Sequence, residues 1–268
     1  MKHLRGRIAL VTGGSRGLGP HIARALAGQG MDVVLAARDA AGLERAAASV
    51  RAIGRRAAAV PADLTSAAER ERLAREAERP FGAIDVLVNN AGVEAAGPFA
   101  GLDAGTIART VEVNVTAPIH LTRLLLPGMV ARRRGHLVHL ASLAGKKGAP
   151  YDAVYSGTKA ALIEWSSGLR PELRGTGVGS SVVCPGYVTG EGMFARFGMQ
   201  PPALLGSCTP EQVARAVARA IRGDQPEVIV NSRPVRPLLA LYQLFPSLGE
   251  RLLGWLGITE FQRRKVGG

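Results

Sequence analysis

Short apolar runs alternate along the chain with longer stretches in which apolar residues recur every third or fourth position. Ile8 to Val11, Val33 to Ala37, Ala57 to Val60, Val86 to Val88, Leu137 to Ala141, Gly179 to Val183 and Val228 to Val230 are short enough for strands, and their near-continuous apolar character suits strands covered on both faces. Between them, Gly17 to Ala27, Leu43 to Ile53, Ser66 to Glu78, Ile107 to Leu126, Val154 to Leu173 and Glu211 to Ile221 read as helices. Strands alternating with helices of this length predict βαβ units. The expected fold class is α/β, a single-domain, Rossmann-like, doubly wound parallel sheet over residues 1–232, with a ligand crevice at the carboxyl ends of the strands. After Ser232 the pattern changes. Residues 233–268 mix Arg233, Arg236 and Arg251 with Leu238, Leu239, Leu241, Phe245, Leu252, Leu253, Trp255 and Leu256, and Pro234, Pro237 and Pro246 break the segment into short, helical pieces.

Composition narrows the function classes. The chain has 268 residues, 47% of them hydrophobic, which is enough for one large core. The formal charge of +13 comes mostly from arginine, since only five residues are lysine. An Arg-rich surface explains that balance, and a field of this sign also favours anionic partners such as phosphorylated cofactors, acyl carriers or acidic lipids. Nucleic acid is not expected, because the basic residues are dispersed and only four Tyr, six Phe and two Trp are available for base stacking. Cys184 and Cys208 have no CxxC spacing and no His cluster accompanies them, so neither a disulfide framework nor a metal site is expected. Met1 to Arg7 lead straight into the first apolar run, leaving no room for a signal-peptide core, and no run of apolar residues is long enough for a membrane span. A cytoplasmic location is the expectation, with peripheral membrane contact an alternative.

The candidate chemistry begins between the first strand and the first helix, at Thr12-Gly13-Gly14-Ser15-Arg16-Gly17-Leu18-Gly19. A glycine turn here brings backbone N–H groups close to a pyrophosphate, and the helix N-terminus adds partial positive charge. Gly13, Gly17 and Gly19 are spaced GxxxGxG, not the commoner GxGxxG. The end of the second strand reads Leu35-Ala36-Ala37-Arg38-Asp39, with Arg38 where a nucleotide that carries only a ribose hydroxyl is met by an acid. A guanidinium suits a 2′-phosphate. Arg16 is a second contact of the same kind, so NADP(H) is favoured and NAD(H) is left open. The alternative is that Arg38 is solvated and Asp39 caps the next helix.

Tyr155 and Lys159 are four residues apart and share one face of a helix. A free tyrosine, with a pKa near 10, is a poor base at neutral pH. A cation at about 4 Å stabilises a phenolate by roughly 4 kcal/mol at an effective dielectric near 20, which draws the group toward working pH. Alone, the pair also fits an ordinary helix surface.

The wider set of residues is specific. Thr12 to Gly19, Asp63, Asn89-Asn90-Ala91-Gly92, Asn114, Ser142, Tyr155, Lys159 and Pro185-Gly186 occur in an order and at separations that resemble the short-chain dehydrogenase/reductase family over roughly residues 5 to 232. The resemblance implies Tyr155 as general acid in reduction and base in oxidation. It implies Ser142 as hydrogen-bond partner of the substrate oxygen, Lys159 as the cation that lowers the Tyr155 pKa and binds the nicotinamide ribose, and Asn114 as anchor of a proton-relay water. Asp63 and Leu64 are expected at the adenine, Asn90, Ala91 and Gly92 along the ribose, and Pro185, Gly186 and Val188 along the nicotinamide. Many relatives carry Thr five residues after the proline of the Pro-Gly pair. Here that position is Gly190, so Thr189 is the substitute contact.

Gly190 to Ser207 is expected to form a lid whose apolar residues, among them Met193, Phe194 and Phe197, suit a hydrophobic carbonyl compound. Packing of the lid on the core explains the same residues. Val93-Glu94-Ala95 lacks the Ile-Thr-Arg-Asp-like sequence of many acyl-carrier ketoreductases, which argues against that activity. Packing over the substrate mouth or a partner subunit is the favoured role of the tail, with membrane contact the alternative. The resemblance also implies a homodimer or homotetramer through the helices of Asn114 and Tyr155. The leading expectation is an NADPH-dependent oxidoreductase of a hydrophobic ketone, aldehyde or secondary alcohol. A non-catalytic NADP(H) sensor or scaffold, or a basic membrane-associated protein, is the alternative.

Overall fold

A computed structural model describes residues 1 and 3–267, without the side chain of Leu253. Seven parallel strands form the central sheet: β1 (Ile8–Thr12), β2 (Asp32–Ala37), β3 (Ala57–Pro61), β4 (Val86–Asn89), β5 (Gly135–Leu140), β6 (Val178–Pro185) and a last strand that pairs with β6, at Glu227–Val230. Their spatial order runs β3, β2, β1, β4, β5, β6, then Glu227–Val230. The chain therefore moves outward from β1 to β3 and returns to the other side of β1 with β4. That reversal opens a crevice at the carboxyl ends of β1 and β4.

Helices cover both faces. On one lie α1 (Leu18–Gly28), α2 (Ala40–Arg51) and α7 (Pro210–Gly223), whose Ile22, Leu26, Leu43, Val217 and Ile221 are fully buried with Val11, Val33 and Val88. On the other lie α3 (Ala67–Glu78), α4 (Ala104–Val111), α5 (Ala117–Ala131) and α6 (Ala153–Glu172), with Leu73, Leu121 and Met129 against Leu10, Leu87 and Leu137. Each such aliphatic side chain contributes roughly 1.5–3 kcal/mol by leaving water. Every residue of β1, β4 and β5 is buried, which is why those runs carry almost no polar alternation.

Two features differ from the sequence expectation. The helix expected over Ile107 to Leu126 is two helices, α4 and α5, joined through a π-helical turn at Glu112–Thr116. A ribbon pairs β7 (Tyr187–Val188) with β8 (Ser207–Cys208) and ties both ends of the lid together. The strand at Glu227–Val230, the last in the chain, is thus β9. The tail forms three helices, α8 (Arg236–Leu244), α9 (Pro246–Trp255) and α10 (Ile258–Lys265). They divide by environment. Ile258, Phe261, Gln262 and Lys265 of α10 are buried, whereas Leu244, Phe245, Leu248 and Trp255 are exposed, Trp255 by 83%.

Candidate active site

The floor of the crevice is built mainly from backbone. Thr12 ends β1, and its hydroxyl accepts from the N–H groups of Asn90 and Ala91 at 3.1 Å each and donates to the Val88 carbonyl at 3.3 Å. The Asn90 amide donates back to the Thr12 carbonyl at 2.8 Å. These bonds join the ends of β1 and β4 and immobilise the glycine turn. Gly13 has φ +65°, and a methyl group there would lie 2.9 Å from the Ala91 Cα. At Gly19 a methyl group would overlap the Gly13 carbonyl oxygen. The turn thus presents bare backbone at the start of α1, a cradle that side chains would fill and one that fits a pyrophosphate.

Ser15, Arg16, Gly17 and Leu18 line the cleft at this end, as do Arg38, Asp63 and Leu64 at the ends of β2 and β3. Arg16 and Arg38 are both exposed at its rim. Asp39 caps α2 by accepting from the Gly42 N–H at 3.0 Å. Asp63 accepts from the Thr65 N–H at 3.0 Å, the main cause of its lowered pKa; partial burial opposes this, and the Thr65 hydroxyl and the fields of Arg38 and Arg109 assist it. It therefore presents a fixed carboxylate.

The reacting end rests on α6. Lys159 is buried and donates from Nζ to the Leu140 carbonyl at 2.7 Å, and burial brings its pKa down to about 8. Its ammonium lies 5.6 Å from the Tyr155 ring centroid. Tyr155 borders the cleft, and its pKa is raised, first by desolvation and next by the Glu94 carboxylate, while a hydrogen bond with Ser142 opposes them. The lysine is held by a carbonyl and is itself desolvated, and burial is the main influence on both groups. Ser142 follows β5 and accepts from the Ala144 N–H at 3.1 Å.

Asn114 sits in the π turn, fully buried. Its Oδ1 accepts from the Val93 N–H, and its Nδ2 donates to the Val93 carbonyl, both at 2.8 Å, and to Thr158 Oγ1 at 3.0 Å. This bonding explains the irregular helix, since π turns commonly mark sites where a side chain is aimed at function. A methyl group on Gly92 would stand 3.4 Å from both Asn114 Oδ1 and Lys159 Nζ, so Gly92 lies between the two. Asn90, Ala91, Gly92, Pro185, Gly186 and Val188 line the same cleft. Thr12, Gly19, Asn114 and Thr189 do not line it. Thr189 is turned into the β7/β8 ribbon, its N–H donating to the Cys208 carbonyl at 3.0 Å.

One continuous cleft of about 1430 Å3 runs from the glycine turn past Ser142, Tyr155 and Lys159 to Met193 and Phe194 of the lid and on to Leu238, Leu239 and Ile258 of the tail. Reasoning from sequence overlooked Asp152, Thr158, Gln262 and Lys265, and read Glu94 only as part of Val93-Glu94-Ala95. Asp152 stands three residues before Tyr155 at the N-terminus of α6, and Glu94 two after Gly92. Proximity to motif residues is the signal that could have found these two; the distant Lys265 has none. Among the described residues, no group of three or more His, Cys, Asp or Glu is arranged to hold a metal ion.

A doubly wound parallel sheet whose switch point carries a bare glycine turn, with a Tyr–Lys–Ser set beside it, defines the class of dinucleotide-dependent oxidoreductases. Comparison with known proteins narrows the class. A model of the short chain dehydrogenase family matches residues 7–199. The chain is 43% identical to a ketoacyl reductase, HetN, of a Nostoc species, over 99% of this chain and 94% of that protein. Its fold is similar to the crystal structure of a metagenomic short-chain oxidoreductase in complex with NADP, at 34% identity and a TM-score of 0.73, covering 86% of this chain and 99% of that one. It is also similar to a short-chain dehydrogenase/reductase from Burkholderia phymatum in complex with NAD, at 28% identity and a TM-score of 0.83, covering 92% and 96%. The chain belongs to the short-chain dehydrogenase/reductase family and is an NAD(P)-dependent oxidoreductase.

Proposed function

We propose that the protein is an NADPH-dependent reductase of a hydrophobic ketone, reversible toward the secondary alcohol, with Tyr155 as general acid. The observation that carries this reading is Tyr155 beside Ser142 and the buried Lys159, in one cleft that runs from the glycine turn to an apolar outer end. When bound, the nicotinamide supplies the hydride. The Ser142 hydroxyl holds the substrate oxygen, and the Tyr155 O–H delivers its proton to that oxygen as negative charge develops. Lys159, charged below about pH 8, stabilises the phenolate left behind. Asn114 fixes the Val93 backbone and Thr158 around that lysine. Arg38 and Arg16, at the rim of the cleft, favour a 2′-phosphate.

The Nostoc relative named as a ketoacyl reductase supports an acyl ketone as substrate, against the reading drawn from Val93-Glu94-Ala95. Turnover of lipophilic ketones and 3-ketoacyl thioesters, followed by nicotinamide absorbance and repeated with Tyr155→Phe, tests the reading. Loss of turnover in the variant is expected, and unchanged turnover contradicts it. We infer a homodimer or homotetramer built on α4 to α6, where Val111 and Ile119 are exposed. Sedimentation of Ile119→Arg is expected to show a smaller species.

A second reading concerns the tail. No helix among the described residues is long and apolar enough to cross a membrane. The exposed Leu244, Phe245, Leu248 and Trp255, with Arg236 and Arg251 nearby in sequence, suit peripheral contact with an anionic lipid surface. Binding to anionic but not neutral vesicles, lost in Leu244→Ser/Trp255→Ser, is the expected result. Equal binding by both proteins contradicts it.

A further inference from the structure

We propose that α10 roofs the substrate end of the cleft and that Lys265 is a positioning residue, holding Glu94, Asp152 and the lid in register with Tyr155; the inference rests on the reductase reading above.

The observation is a buried charge cluster that joins three remote parts of the chain. The Lys265 side chain is 4% exposed, and its Nζ lies 2.7 Å from Glu94 Oε1 and is also ion-paired with Asp152 Oδ2. The carboxylates are as enclosed as the lysine, at 7% and 5%. Glu94 follows the β4 loop that carries Gly92, and Asp152 stands at the entry to α6. The second Glu94 oxygen accepts from Arg196 of the lid at 3.1 Å, and the ring of Phe197 lies 4.7 Å from Lys265 Nζ. One turn earlier, Gln262 donates to the Tyr187 hydroxyl at 2.9 Å. Phe261 completes an aromatic cluster with Tyr187 and Phe194, at centroid separations of 5.7 and 6.3 Å. Ile258, Thr259, Gln262 and Lys265 all line the cleft. The tail therefore builds part of the wall that a substrate meets beyond its carbonyl group.

The electrostatics give the cluster a role beyond packing. Two carboxylates buried this closely are costly unless cations neutralise them. Lys265 serves both, and Arg196 assists at Glu94. Burial is the main cause of the raised Tyr155 pKa. Ser142 opposes the upward shift of its pKa, and Glu94, Asp152 and Cys184 add to it, while Lys159 lies beneath its ring. Burial and then Glu94 push the Asp152 pKa up to about 6 even with Lys265 in place. Once both carboxylates are ionised, removing the lysine leaves one net negative charge facing the tyrosine, since Arg196 balances only Glu94. Forming the phenolate, which alcohol oxidation requires, becomes harder, and the mouth that Lys265 clamps loosens.

The test uses the full-length protein and compares Lys265→Met, Lys265→Arg and Lys265→Met/Glu94→Gln with the wild type. NADPH affinity, kcat and KM for a short and a long ketone, and the pH profile of alcohol oxidation are measured. Lys265→Met is expected to leave NADPH affinity unchanged and to raise KM for the long ketone about tenfold, the scale of one lost charged hydrogen bond. It should also move the rise of alcohol oxidation to higher pH by about one unit. Lys265→Arg should restore most of both effects, and Glu94→Gln in the Met background should return the pH profile alone. Wild-type KM and an unmoved profile in Lys265→Met overturn the proposal. If that variant does not fold, Thr259→Trp, at an exposed position of α10 on the rim of the cleft, carries the test. A KM raised for the long ketone only supports the roof, and unchanged constants for both ketones refute it. A wild-type protein that turns over no carbonyl compound removes the reductase reading and this proposal together. Turnover with an indifferent Lys265 removes this proposal alone.

Discussion

The two ends of the cleft are built by opposite means. At the glycine turn the wall is largely backbone, held by short-range geometry. Gly13 and Gly19 leave no room for side chains, and Thr12 and Asn90 join two neighbouring strands. At the mouth the wall is side chain, drawn from residues far apart in sequence, and its central bond spans 171 positions from Glu94 to Lys265. The first end suits what every nucleotide of this kind shares, a pyrophosphate. The second suits what differs between substrates. A fold can keep its chemistry constant and vary its specificity when the two rest on different kinds of structure.

Substitutions that respect this division sharpen the comparison, and those that cross it can break it. The largest effect is expected from Tyr155→Phe, which removes the acid and leaves the turn intact. Its kcat should fall by about 10²–10⁴-fold with NADPH affinity retained. Concurrent loss of nucleotide binding would show that the two ends are not separable. Next comes Gly19→Val, whose side chain collides with the Gly13 carbonyl. Calorimetry should find NADPH binding weakened by about 100-fold or more, since backbone amides that cradle a phosphate act as charge-assisted donors. Arg38→Ala should cost roughly tenfold to 100-fold in NADPH affinity and little in NADH affinity, the scale of a hydrogen bond to a charged group. Equal losses for both would assign Arg38 no part in the choice.

Smaller effects probe the join between the ends. Thr158→Val removes the acceptor of one Asn114 hydrogen bond inside the protein. A stability loss of about 1–3 kcal/mol is expected from chemical denaturation, with kcat reduced. The pH dependence of ketone reduction tests the electrostatics. Tyr155 must be protonated and Lys159 charged. Burial raises the first pKa and lowers the second, to about 8. The reduction rate should therefore be level below pH 8 and fall above it as Lys159 loses its proton, while Tyr155 is still protonated. A fall only at much higher pH would assign it to Tyr155 and contradict the role of Lys159.

What was legible in the sequence follows the same division. The glycine turn lies within eight consecutive residues, Tyr155 and Lys159 within one helical turn, and each strand within one apolar run, so local pattern suffices. Asn114 was legible as a residue but not as a π turn, because the periodicity of Ile107 to Leu126 continues across it and only bonds to Val93 and Thr158 reveal the irregularity. Lys265 was illegible. It ends the run Arg263-Arg264-Lys265, which reads as a solvated basic face. Arg263 and Arg264 do pair with Glu260 at the surface, but Lys265 turns inward to partners on remote segments. The burial of Tyr155 and Lys159 was illegible for a related reason. A four-residue spacing gives proximity but not burial, and burial dominates both pKa values.

The central claim is a nucleotide-dependent reduction in which Tyr155 supplies the proton. The most direct measurement is single-turnover oxidation of enzyme-bound NADPH by a lipophilic ketone, in the wild type and in Tyr155→Phe. The account predicts tight NADPH binding by both proteins and rapid oxidation by the wild type alone. Equal oxidation by the two proteins, or binding of neither NADPH nor NADH, would contradict it.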